Sequence, residues 1–167
     1  MVAYKFNAVW ALFFVIFLLL TVTLYGFERF TDNGDGTVTD HKTGLMWAKN
    51  DNQGDINWKQ GERWVKFTFP YSISTSYNNW RLPTLEELLT LYVRDKSYPG
   101  YETDCGQKVR IVPEIRITCG WLWSSEKKSI TARVYNFNRG YHYTDRMVHK
   151  KAYRVLPVRS LKWQTTN

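Results

Sequence analysis

The 18 residues from Ala8 to Tyr25, AVWALFFVIFLLLTVTLY, include no charged side chain, and nothing else in the chain so narrows what it can become. About 20 apolar residues in a helix cross the hydrocarbon core of a bilayer while satisfying their own backbone groups. The run therefore reads as one transmembrane helix, with residues 1–27 as a membrane anchor and residues 28–167 as a single domain beyond it. A cleaved secretory signal is the alternative; its apolar stretch is usually about 7–15 residues long and ends in small residues at a cleavage site. Here Thr23, Leu24, Tyr25, Gly26 and Phe27 show no such pattern. Lys5 and the amino terminus favour a cytoplasmic N-terminal side, which places the domain outside an inner membrane, in the periplasm or extracellular space.

The domain that follows is rich in rings: the chain has eight Trp and eleven Tyr, enough to fill one core and leave some for ligands. Its charge is lopsided. Of 23 basic side chains, ten fall within residues 127–167, where Asp145 is the single acid, and the net charge of the whole chain is +8. A basic final quarter suits an anionic glycan, a lipid headgroup, nucleic acid or an acidic protein, or is simply a solvated face.

Local patterns predict an α+β order. Asn33-Gly34-Asp35-Gly36 and Lys42-Thr43-Gly44 are turn sequences between short β-prone runs, so residues 30–47 should form a three-stranded meander. DNGDG does not make a calcium loop, because counting from Asp32 the third and fifth positions are Gly34 and Gly36, which carry no side-chain oxygen. In DINWKQGERWVKF, Asn57 and Gln60 match a capping box and Trp58, Gly61 and Val65 share a helical face. In NNWRLPTLEELLTLY, Thr84 and Glu87 form a second capping box ahead of a stripe of Leu85, Leu88, Leu89 and Tyr92. Strands are expected again at Trp121–Ser125, Ile130–Phe137 and Tyr153–Arg159, with a turn around Asn138–Gly140.

Cys105 and Cys119 bracket a short segment that a disulfide would staple in an oxidising compartment; two reduced thiols are the other reading. Neither belongs to a C-x-x-C pair and no His is near in sequence, which argues against zinc. Catalytic patterns are equally thin. Glu86 and Glu87 are helix neighbours pointing apart, and their capping and dipole roles account for them. Ser124 and Ser125 lie in no nucleophile elbow, and His41, His142 and His149 are the only histidines. No enzyme activity and no cofactor is expected.

Taken together, GDGTVTDHKTGLMW, NNWRLPTLEEL, WLWSS, ARVYNFNRG and YRVLPVR resemble, in this order over about residues 30–159, the bacterial domain family typified by the C-terminal domain of the Legionella collagen-like adhesin. The resemblance implies a C-type lectin-like fold with two short helices and antiparallel strands, distantly related to the formylglycine-generating enzymes. It implies Trp47, Trp80, Leu82 and Trp123 in the core and Arg81 as a buried or half-buried hydrogen-bond donor. Family members are usually exported, and the adhesin's domain binds sulfated glycosaminoglycans. Members often carry a Cys near the end of the first helix, where this chain has Lys66 and Phe67. Any disulfide then joins Cys105 to Cys119.

The function expected is non-catalytic binding near a membrane surface. Candidate contacts are Arg133, Arg139, Tyr141, Tyr143, Arg146, Lys150, Lys151 and Arg154, since Arg and Lys suit sulfate, phosphate or carboxylate and Tyr offers a flat ring. Tyr135 and Tyr153 fit equally well as core strand residues. The partner is expected to be a protein or an anionic envelope glycan, with nucleic acid less suited to an exported domain. An accessory subunit of a membrane complex is the alternative, suggested by the short link from Gly26 to Arg29 between span and domain.

Overall fold

The computed structural model describes residues 28–161. The span expected at Ala8–Tyr25 lies outside them, and among the described residues no helix is long and apolar enough to cross a membrane. In chain order the elements are β1 (Phe30–Asp32), β2 (Thr37–Asp40), β3 (Leu45–Ala48), α1 (Trp58–Phe67), a 3-10 turn (Phe69–Tyr71) and α2 (Leu85–Thr90). There follow β4 (Tyr101–Glu102), β5 (Lys108–Val109), β6 (Trp121–Lys128), β7 (Thr131–Asn136), β8 (Tyr141–Arg146), β9 (Tyr153–Arg154) and β10 (Val158–Ser160).

The meander forms as its turns dictate. Asp32 and Asp35 accept the backbone N–H groups two residues on, from Gly34 and Thr37, and the antiparallel order β1-β2-β3 is completed by β10, whose Val158 pairs with Trp47. Among the described residues every buried apolar side chain lies between Phe30 and Val158, so this stretch closes around its own core. Trp47, Trp80, Leu82 and Trp123 all belong to it.

A second four-stranded sheet has the order β8-β7-β6-β9, with β6 and β9 parallel and the other pairs antiparallel. Both capping boxes are present, and Trp58, Gly61 and Val65 face inward as their spacing requires. Trp58 Nε1 donates to the Ser124 carbonyl and Trp123 Nε1 to that of Ile56, fastening the start of α1 to β6. Trp123 and Tyr135 point to opposite faces of this sheet, because Trp123 pairs with Val134 and Leu122 with Tyr135. Residues leading into α1 cover the first face. Tyr92, just beyond α2, packs edge-on against Tyr135 on the second.

Several elements depart from the sequence reading, β8 among them, since no strand was expected there. The helical stripe to Tyr92 is cut at Thr90, and Tyr92 bridges instead to Ile111. The segment around Cys105 forms a small hairpin, β4–β5, with Cys105 in its turn, while the expected bond from Cys105 to Cys119 is present. The expected final strand is broken by Val155, Leu156 and Pro157 into β9 and β10, which serve different sheets.

Candidate functional site

The β6–β7 pairing is irregular. Trp123 lies opposite Val134, but the next paired residue of β6 is Lys127, opposite Ala132, so β6 carries two residues more than β7 in this interval. Such a bulge bends the strand and re-aims its side chains. Glu126, on the bulge, reaches across to accept from the Leu85 N–H at the start of α2 and lies 3.4 Å from Arg133 Nε. A cavity of about 250 Å³ opens there, bounded by Glu126, Lys127, Lys128, Arg133 and Thr144.

Strand register decides which cations share it. Lys128 pairs with Thr131 and Thr131 with Arg146, so Lys128 and Arg146 flank one row across three strands, and Arg133 stands two residues along β7 on the same face. With strands about 4.8 Å apart, Lys128 and Arg146 start some 10 Å from each other, within reach of one anionic group or two neighbouring ones. Glu126 is the acid beside them, and its partners are already Arg133 and the Leu85 amide.

The expected contact residues scatter from this point. Arg133 lines the cavity and Arg146 stands beside it, opposite Thr131 on β8, and Lys150 and Lys151 are exposed in the loop after β8. Tyr141 and Tyr143 alternate to the opposite face, their rings 6.0 Å apart. Arg139 is exposed in the β7–β8 turn, at the far end of a six-residue strand and so about 20 Å away. Arg154 is a correction: its side chain is 9% exposed, donates to Asp55 Oδ1 at 2.7 Å and to Thr118 Oγ1 at 2.8 Å, and has no face left for a ligand. Arg154 in turn holds the Asp55 carboxyl below its ordinary range. Lys127 and Lys128 were missed as individuals; the adjacent pair just before a hairpin turn was the available signal.

On the Tyr143 face, Tyr153 is core, as its strand propensity allows, and donates to Asp145, which also accepts from His149 Nδ1 at 2.9 Å. Burial and the Asp145 contact push the Tyr153 hydroxyl well up. Burial opposes the ionised form of Asp145, but the bonds from Tyr153 and His149 outweigh it and hold the carboxyl low. Across the domain, burial raises Asp51 although Thr118 donates both its N–H and its hydroxyl to that carboxylate. These groups are saturated by one another. Along α1 a shallower cleft is lined by Ile56, Arg63, Trp64 and Phe67.

The chain forms a small α+β domain with two four-stranded sheets, stapled by one cystine, and carries a basic edge on its second sheet. The chain belongs to the Lcl C-terminal domain family, whose model matches residues 36–159. No curated protein and no solved structure matches it significantly.

Proposed function

We propose that the chain is a non-catalytic binding domain of C-type lectin-like architecture, held outside a membrane by Ala8–Tyr25, and that it engages an anionic partner through the β6–β8 edge. The observation that carries this reading is the placement of Lys128, Arg133 and Arg146 on one sheet face, the first two lining a concavity whose single acid is already partnered. Guanidinium and ammonium groups so spaced suit sulfate, phosphate or carboxylate. The disulfide supports an oxidising, extracytoplasmic compartment. The lectin-like assignment is supported by the return of the last strand to the first sheet and by two helices preceding the cystine segment. The glycosaminoglycan binding of the Legionella adhesin's domain points the same way, towards an anionic polymer or an acidic protein surface.

Residues 28–161, produced as a soluble domain, should bind immobilised heparin in a salt-sensitive manner. Lys128→Ala/Arg146→Ala should elute at markedly lower salt, and Lys150→Ala/Lys151→Ala should shift less. Unchanged retention of the first variant overturns the assignment of this edge.

A further inference from the structure

Among the described residues, two aliphatic side chains are strongly exposed: Ile130, at 62%, and Val148, at 74%. They come from different segments, the β6–β7 turn and the loop after β8, yet the Met147 N–H donates to the Ile130 carbonyl at 2.9 Å and brings them to one tip. Neither belongs to the core cluster. The turn does not call for an apolar residue either. Lys128 pairs with Thr131, leaving Ser129–Ile130 as a two-residue connection, and Ser129 has a φ of 55°, where Gly, Asn or Asp is ordinary. The fold thus tolerates a strained Ser and an exposed, idle Ile in this hairpin turn.

What surrounds the tip is cationic. Lys127 and Lys128 precede the turn, Arg146 ends the strand leading to Val148, and Lys150 and Lys151 follow it, all exposed. The nearby acids are spent, Glu126 on Arg133 and Asp145 on Tyr153 and His149. A polyanion in solution would use the cations and ignore the aliphatics. An anionic bilayer uses both, because apolar side chains gain by entering the headgroup–acyl boundary, roughly 5–10 Å deep, while the collar attracts lipid phosphates.

We propose that this tip docks on an anionic lipid bilayer, with Ile130 and Val148 entering the interface and the surrounding Lys and Arg side chains binding headgroups. The inference rests on the reading of the β6–β8 edge as an anion site and narrows its partner to a lipid surface. It also requires rigidity, which the hairpin pairing between β6 and β7 supplies.

Vesicles of phosphatidylcholine alone and of equal parts phosphatidylcholine and phosphatidylglycerol test it, by flotation of the 28–161 domain at low salt. The domain should float with the anionic vesicles only. Ile130→Ser/Val148→Ser should lower that partition about tenfold while leaving heparin retention unchanged, since every cation is kept. Val148→Trp should raise it several-fold, and this gain decides the matter should the serine variant also lose heparin binding through misfolding. Undiminished flotation of a folded serine variant, or no gain from Trp in the latter case, overturns the proposal. A wild-type domain retained on heparin that ignores anionic vesicles overturns it too, and leaves the anion site standing. Binding to neither removes both readings.

Discussion

A methyl group at position 61 has nowhere to go: a Cβ there would fall 2.5 Å from Val155 Cγ1. Gly inside α1 costs helix stability, about 1 kcal/mol against Ala, and by propensity alone Gly61→Ala should help. Contact with a β-branched, fully buried Val155 opposes it, because overpacking typically costs about 1–3 kcal/mol and Val has no alternative rotamer at low cost. We expect Gly61→Ala to lower stability by on the order of 1 kcal/mol in urea unfolding of the 28–161 domain; a more stable variant would show that the two elements slide apart freely. The inward direction of Gly61 was legible from its spacing with Trp58 and Val65. Its neighbour Val155, ninety-odd positions away, was not. Arg154 shows the same limit in reverse, since composition made it a surface cation and only the packing of Asp55 and Thr118 around β9 made it internal.

Among the elements, the start of α2 was legible because its determinants sit within a few residues of one another. Thr84 and Glu87 cap it reciprocally, and Glu87 also takes two hydrogen bonds from Arg81, at 2.7 and 2.8 Å. Burial works against the Glu87 carboxylate, but Arg81 and the Thr84 amide outweigh it, so its folded pKa lies below the usual glutamate value. A lowered folded pKa gives stability that is present above about pH 4.3, the unfolded value, and is lost as pH falls through the folded one. Glu87→Gln should therefore cost about 1–2 kcal/mol near neutral pH, discounted for the partial exposure of Arg81, and the gap to wild type should narrow as pH falls below about 4.3. A gap independent of pH, measured by urea titrations at both values, would mean that the charge is irrelevant. The cystine is a second local device. It ties the turn between β4 and β5 to Cys119, 14 positions further on, and Cys105→Ser/Cys119→Ser should lose about 3 kcal/mol in the same assay in the chain-entropy account; little change would place the stability of that segment in the Asp51–Thr118 contacts instead. By contrast β8 was invisible. YHYTDR is exposed along His142, Thr144 and Arg146 and only partly covered along Tyr143 and Asp145, so it lacks the one-sided apolar pattern that marks a strand, and its pairing with β7 is what makes it one.

For the molecule as a whole, the basic final quarter is not one surface. A two-residue period sends Tyr141 and Tyr143 to one face and Arg133 and Arg146 to the other, Arg139 to the far turn and Arg154 inside. The cluster that remains gathers Lys128, Arg133 and Arg146 on one face beside the bulge, with Lys127 turned to the other face over the Trp58 ring, next to two exposed aliphatics, and it is this grouping that the heparin and vesicle experiments address. The sequence by itself determined the turns of the meander, both capping boxes, the Trp core, the Cys pair and the family, because each depends on chemistry shared by residues a few positions apart or on an ordered set of motifs. Only the tertiary structure decided which cations stand together, that Glu126 is re-aimed to neutralise Arg133, that Arg154 is buried, and that Ile130 and Val148 meet at one tip. Those outcomes depend on the register of β6, β7 and β8 and on the bulge that shifts it, and register is a relation between distant segments that no single stretch of residues encodes.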